Sequence, residues 1–165
     1  QYIEMIRLKT AVMLAGCLKV GAILSNASEF DQNEIYNFGI HIGLAFQLKD
    51  DLFDVYSDAE TFGKQIGGDI KSNKKTFLYL LALEKANPVQ KEKLMYWFST
   101  EPENSDLKFN EVKSIFDQLD ISKLTEEKIH YYVNAAISNV ENLSISDDKK
   151  TYLIEYAQQL AQRIK

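Results

Sequence analysis

The stretch Phe38–Thr76, FGIHIGLAFQLKDDLFDVYSDAETFGKQIGGDIKSNKKT, decides how this chain is read. From Ile35 to Tyr56 its only charged residues are Lys49, Asp50, Asp51 and Asp54. That is the composition of a helix buried among others, not of one lying on a surface. At 3.6 residues per turn, Gly43, Gln47, Asp50 and Asp54 fall within ~60° of one another, with Asp51 at the edge of the strip. The spacing therefore predicts carboxylates aimed into one small volume. Two such charges ~5 Å apart repel by roughly 3 kcal/mol at an effective dielectric of 20, so the strip requires a counter-cation. Hard oxygen donors without Cys or His favour Mg2+, with Mn2+ as the alternative. Mg2+ held by few carboxylates fills its octahedron with waters and phosphate oxygens.

The downstream half of the stretch supplies the opposite charge. Gly63-Lys64, Gly67-Gly68-Asp69 and Lys74-Lys75-Thr76 follow the helix as a glycine-rich loop with cations. Glycines let the backbone approach a ligand closely, and lysines act as point charges for phosphate. Together the two halves predict a magnesium-diphosphate site.

Phe-Gln-x-x-Asp-Asp-x-x-Asp (Phe46 to Asp54), Gly63-Lys64, and Gly-x-Asp-x4-Lys-x-Thr (Gly67 to Thr76) resemble the second aspartate-rich region of the trans-isoprenyl diphosphate synthases. These are also called polyprenyl synthetases and include the farnesyl and geranylgeranyl diphosphate synthases. A lone DDxxD arises by chance on acidic helices; the joint spacing of three sub-motifs over ~30 residues carries the resemblance. Lys9-Thr10, on the preceding predicted helix, matches a further motif of the same family.

The resemblance implies an all-α helical bundle of the isoprenoid synthase type, of which residues 1–165 would be the C-terminal portion of a single domain. It implies a metal-assisted, head-to-tail condensation of isopentenyl diphosphate with an allylic prenyl diphosphate through an allylic carbocation. Carried over residue by residue, Asp50, Asp51 and Asp54 are metal-binding. Lys9, Lys64 and Lys74 contact the diphosphate, and Thr10, Phe46 and Gln47 line the substrate. Asp69 also matches a family aspartate, with a structural role in the loop. Such chemistry needs charge placed where the leaving group develops it, and no side-chain nucleophile or dedicated base. The family's first aspartate-rich motif, the arginines after it and the isopentenyl diphosphate site have no counterpart here, so the chain alone is expected to be inactive.

The rest of the sequence agrees with a helical protein. It has 165 residues, 45% of them hydrophobic, with seven Gly and two Pro. There is no period-2 run of β-branched residues and no repeat, which predicts helices with short connections. A net charge of −5, spread evenly, leaves no basic stripe to follow a nucleic-acid backbone. The single Cys17 cannot form an internal disulfide and is expected as a buried thiol in a reducing compartment. No apolar run reaches ~18 residues, so no stable membrane insertion is expected and the location is read as cytoplasmic.

Residues 2–25 predict a long helix that begins abruptly at Gln1, as a piece of a longer protein would. Its small residues Ala11, Ala15, Gly16, Gly21 and Ala22 suit close helix approach. Ser28 or Asp31 caps the next helix, about 32–57, on which His41 is a packing residue and Phe46 is expected in the core. Lys71 and Lys75 are expected as solvated charges. Asn87-Pro88 starts the helix bearing Leu94, Tyr96, Trp97 and Phe98, read as core residues. After the polar stretch 99–106, further helices are predicted at about 108–119, 123–142 and 147–164. Asp147 and Asp148 complement the last helix's dipole, and His130 is exposed or packing.

Three alternatives remain open: a terpene cyclase or head-to-head condensing enzyme, a non-catalytic subunit of a heteromeric prenyl synthase, and an unrelated helical module. The family trait of dimerisation predicts a homodimer or a partner subunit.

Overall fold

Side-chain caps fix the starts of three of the described helices, those that follow Ser28, Asn87 and Asn104. A computed structural model describes residues 1–57, 66–102 and 104–162, and among them contains helices and connections but no strand. In order these are α1 (Tyr2–Ile6), a π-helical turn (Arg7–Ala11), α2 (Val12–Leu24), α3 (Glu29–Tyr56), α4 (Gly68–Lys71), α5 (Phe77–Lys85), α6 (Pro88–Trp97), α7 (Ser105–Gln118), α8 (Ile121–Glu141) and α9 (Asp147–Gln162). The all-α expectation holds. The helix predicted for residues 2–25 is interrupted by the π-helical turn, which widens one turn at Lys9 and Thr10.

Two units can be distinguished. The first joins Gln1–Lys49 to Glu127–Ile164; the second is built from Asp50–Glu126.

In the first unit, α2 and α3 run antiparallel at very short range. A Cβ placed on Gly39 would sit 2.6 Å from Ala15 Cα, and one on Gly43 would sit 2.6 Å from Ala11 Cα. Two glycines one turn apart thus face two alanines one turn apart, and both alanines are fully buried. Of the small residues expected to permit close approach, Ala11 and Ala15 do so, while Gly16 and Gly21 face open space. Ser28 caps α3: its hydroxyl accepts from Asp31 N–H at 3.1 Å and donates to the Asp31 carboxylate at 2.8 Å. The second Asp31 oxygen accepts from Ser144 N–H at 2.7 Å, tying the α3 entry to the α8–α9 connection. His41 Nδ1 meets Asn139 Oδ1 at 2.9 Å, and Asn139 donates in turn to Glu34. Tied to Asn139 and stacked against the Tyr132 ring, His41 acts as a packing residue, as expected.

Lys49 is buried, and its Nζ donates to the Ala161 carbonyl at 3.0 Å, near the end of α9. A cation at a helix C-terminus meets carbonyls that lack intrahelical partners. Cys17 corrects an expectation: it is exposed, on a face of α2 that also exposes Met13, Val20 and Leu24.

The second unit holds the last turns of α3 against α4 to α7. Its core is Leu52, Val55, Ile70, Leu78, Ala82, Leu94, Phe98, Val112, Ile115 and Phe116. Asn87 caps α6 in a reciprocal box with Gln90, and Pro88 occupies the first turn, as the sequence implied. Tyr79 and Phe98 stack with ring centroids 3.8 Å apart. Leu94 and Phe98 are core residues as expected, but Tyr96 is not: it is 58% exposed, on the opposite face of α6. No helix among the described residues is long and apolar enough to cross a membrane.

Candidate functional site

The acidic end of α3 is met by a turn that only particular residues can make. Gly67 adopts φ 76°, a left-handed conformation that costs other L-residues ~1–2 kcal/mol. A Cβ there would also collide with the Phe109 ring. This turn brings Gly67 N–H onto the Asp54 carbonyl at 2.6 Å. It then lets Asp69 N–H donate to Asp54 Oδ2 at 3.0 Å. Lys74 Nζ closes the arrangement with an ion pair to Asp69 Oδ2 at 2.8 Å. Asp69 organises the loop, as the structural role expected for it requires.

The electrostatics follow from this geometry. Partial burial raises the Asp54 pKa; the Asp69 N–H opposes that, while the charges of Asp69 and Asp50 act with it. Burial of the Lys74 stem would lower its pKa, but the Asp69 ion pair and the fields of Asp51 and Asp50 outweigh burial, and the net shift is upward. Lys74 is therefore held firmly as a cation, about half exposed, beside carboxylates.

The three aspartates of the α3 strip differ in their surroundings. Asp50 is exposed and Asp54 half-buried. Asp51 is buried and accepts from Phe77 N–H at 3.2 Å, so it satisfies the first turn of α5. Its angular offset at the edge of the strip is what turns it toward that helix. Among the described residues, no three His, Cys, Asp or Glu side chains are close enough to hold a metal ion unaided. The donors present, the hard carboxylate oxygens of Asp50 and Asp54 one turn apart on α3, fit a Mg2+ ion that draws its other ligands from water and phosphate. They do not fit an all-protein cage.

The remaining predicted residues stand as follows. Gln47 is half-buried on α3, one turn before Asp50 and Asp51. Phe46 is 44% exposed, which overturns its expected place in the core while leaving its ring available to a ligand. Lys9 and Thr10 lie in the π-helical turn of the first unit, Lys9 exposed and Thr10 half-buried. Gly63 and Lys64 lie outside the described residues. Lys71 is not a free surface charge: it pairs with Asp106 at 2.7 Å and lies 5.9 Å from the Phe109 ring centroid. Lys75 is exposed, as expected.

Two features were not anticipated. Lys108 is wholly buried, donating to Asn73 and to the Thr100 carbonyl. Its position was readable, because residues 108, 112, 115 and 116 follow one helical strip and the other three are Val, Ile and Phe. Tyr56 donates to Asp117 at 2.9 Å, and burial together with that bond raises its pKa.

Comparison with known proteins places this arrangement among relatives. The polyprenyl synthetase family model matches residues 1–117. A geranylgeranyl pyrophosphate synthase of Geoglobus acetivorans is 30% identical over 165 residues, covering 99% of this chain and 48% of its own length. A crystal structure of a geranylgeranyl pyrophosphate synthase superposes with a TM-score of 0.91 at 40% identity, covering 99% of this chain and 51% of that one. A geranylgeranyl pyrophosphate synthase of Corynebacterium glutamicum, crystallised with isoprenyl diphosphate and magnesium, gives a TM-score of 0.87 at 25% identity over 98% of this chain and 46% of that one. The chain thus spans about half the length of these relatives, with the isoprenoid synthase type of helical fold. By its motifs, its fold and the family match over most of its length, the chain belongs to the polyprenyl synthetase family.

Proposed function

We propose that this chain supplies the second aspartate-rich half-site of a trans-prenyl diphosphate synthase, which joins isopentenyl diphosphate to an allylic prenyl diphosphate. The reading is supported above all by the Lys74–Asp69–Asp54 connection, which sets a firmly protonated lysine beside the acidic turn of α3. Asp50 and Asp54 would hold a divalent ion, Mg2+ with Mn2+ as the substitute. When bound, that ion neutralises charge building on the departing diphosphate.

The chain's own groups bind and orient the allylic diphosphate. Lys74, with Lys9 and Lys64, donates to diphosphate oxygens as the allylic C–O bond breaks, and Thr10 and Gln47 hydrogen-bond at the edge of the substrate. Phe46 offers an exposed ring to the prenyl chain. Asp51 acts through α5, fixing the helix that follows Lys74 and Thr76. The double bond of isopentenyl diphosphate then attacks the allylic cation, and a proton passes to the diphosphate, so no side-chain base is required. The first aspartate-rich motif, the isopentenyl diphosphate site and the control of product length belong to the family's other half, so the chain alone binds without turning over. The exposed apolar face of α2 is suited to further helices of that half or of a second copy.

The test is a calorimetric titration of the chain with an allylic diphosphate, with and without Mg2+. Binding that requires both components, accompanied by a raised melting temperature, is the expected result. A folded chain that binds no allylic diphosphate in saturating Mg2+ overturns the half-site reading.

A further inference from the structure

Lys108 has no exposed surface, and lysine is almost never fully buried unless paired. The partners of its Nζ are neutral: Asn73 Oδ1 and the Thr100 carbonyl at 3.4 Å. The Phe98 ring centroid lies 5.6 Å away. Burial pushes the Lys108 pKa down, partly opposed by the charge of Glu101. A buried ammonium held by neutral oxygens is costly for a fold, and a hydrophobic residue would fill the same volume at lower cost.

The side chain that Lys108 grips explains its presence. Asn73 has φ 59°, a left-handed conformation that Asn tolerates better than most residues. Its N–H reaches the Ile70 carbonyl at 3.2 Å. This one residue reverses the chain after α4, so that Lys74 N–H returns to the Asp69 carbonyl at 2.9 Å and Lys74 Nζ to the Asp69 carboxylate. The Asn73 amide is anchored at both ends, its oxygen by Lys108 and its nitrogen near the Thr100 carbonyl at 3.5 Å.

We infer that Lys108 is a positioning residue for diphosphate binding: through Asn73 it locks the turn that sets the Lys74 ammonium against the acidic end of α3. This rests on the diphosphate reading above. It places a determinant of diphosphate binding in α7, far along the sequence from the motifs that touch the head group. Lys108 does not meet the ligand; Lys74 does.

Two variants of the chain separate positioning from bulk stability and from long-range charge. Lys108→Met keeps the length of the side chain and removes its charge. Asn73→Gly keeps the left-handed backbone and the Lys108 charge, and removes the amide that links them. Each is read by amide hydrogen exchange and by calorimetric titration with inorganic pyrophosphate in excess Mg2+. The expected result is exchange at residues 72–76 raised at least tenfold relative to α8, with pyrophosphate affinity lowered at least fivefold in both variants. Should Lys108→Met fail to fold, Asn73→Gly decides alone. Unchanged affinity in folded variants, while the wild type binds, overturns the positioning role and leaves the diphosphate reading standing. Exchange that rises uniformly along the chain with affinity unaltered marks Lys108 as a structural residue only. A wild-type chain that does not bind pyrophosphate overturns both proposals.

Discussion

Gly43→Ala tests one of the two close glycine–alanine contacts of the first unit. The added Cβ would lie 2.6 Å from Ala11 Cα and 2.7 Å from Ala11 Cβ, whereas ordinary contact lies at 3.4–4 Å. Relief requires α3 and the Ala11 turn to separate by roughly 1 Å, because a backbone atom cannot rotate aside as a side chain would. Overpacking costs about 1–3 kcal/mol, the upper half applying here because backbone must move, and replacing Gly by Ala within a helix returns about 0.8–1.0 kcal/mol. The net effect is a destabilisation of about 1–2 kcal/mol. For a chain of this size that lowers the melting midpoint by about 2–8 °C, readable by far-UV circular dichroism. Gly16→Ala is the control: nothing lies within 4 Å of its added Cβ, so the same exchange stabilises by about 0.5–1 kcal/mol. Adding Ala11→Gly to Gly43→Ala removes the methyl but not the Cα, so it restores little. A Gly43→Ala chain as stable as wild type, or full rescue by Ala11→Gly, would refute this account of the interface.

Asp50→Ala should change stability by no more than about 0.5 kcal/mol, since the side chain is exposed, yet lower Mg2+-dependent pyrophosphate binding at least tenfold by calorimetry. Asp51→Ala should do the reverse in stability, costing about 1–2 kcal/mol in urea melts through loss of the bond to Phe77 N–H. Gly67→Ala combines left-handed strain with the Phe109 collision and should destabilise by more than about 1 kcal/mol, with increased exchange at Asp69 N–H. The Asp31 pKa is held below its ordinary value chiefly by Ser144 N–H and then by Ser28. It therefore contributes stability present above about pH 3.9 and lost as the pH falls through its folded pKa. Asp31→Asn should remove that part of the acid-side slope while leaving the slope near neutrality unchanged.

Much of this fold was legible because its signals are local. Asn87-Pro88 sits where the helix starts, and the apolar spacing of residues 129–140 marks the buried face of α8. The acidic strip of α3 was legible as a strip, but the partners of each carboxylate were not. A 3.6-residue period places Asp51 at its edge; whether an edge residue joins its neighbours or faces another helix depends on α5, which lies later in the chain. Lys71 was misjudged for the same reason, its partner Asp106 being 35 residues away. Cys17 and Phe46 are ordinary members of apolar runs, and their exposure depends on which faces find partners. The π-helical turn at Lys9 has no compositional mark, since no proline or glycine interrupts Arg7–Ala11. Lys108 was overlooked although the strip it continues is regular, because a lysine at such a position is normally taken to reach water.

The division of the chain also bears on how it is made. Asp50–Glu126 is continuous, and its contacts can close as it leaves the ribosome. The other unit is split: the Lys49–Ala161 bond spans 112 residues and the Asp31–Ser144 bond spans 113. Closing loops of that length is slow relative to local helix formation. During synthesis, therefore, the Lys49 ammonium and the Asp31 carboxylate await partners translated much later. That interval is when a nascent chain of this design is most exposed to aggregation, and a chaperone would act there first.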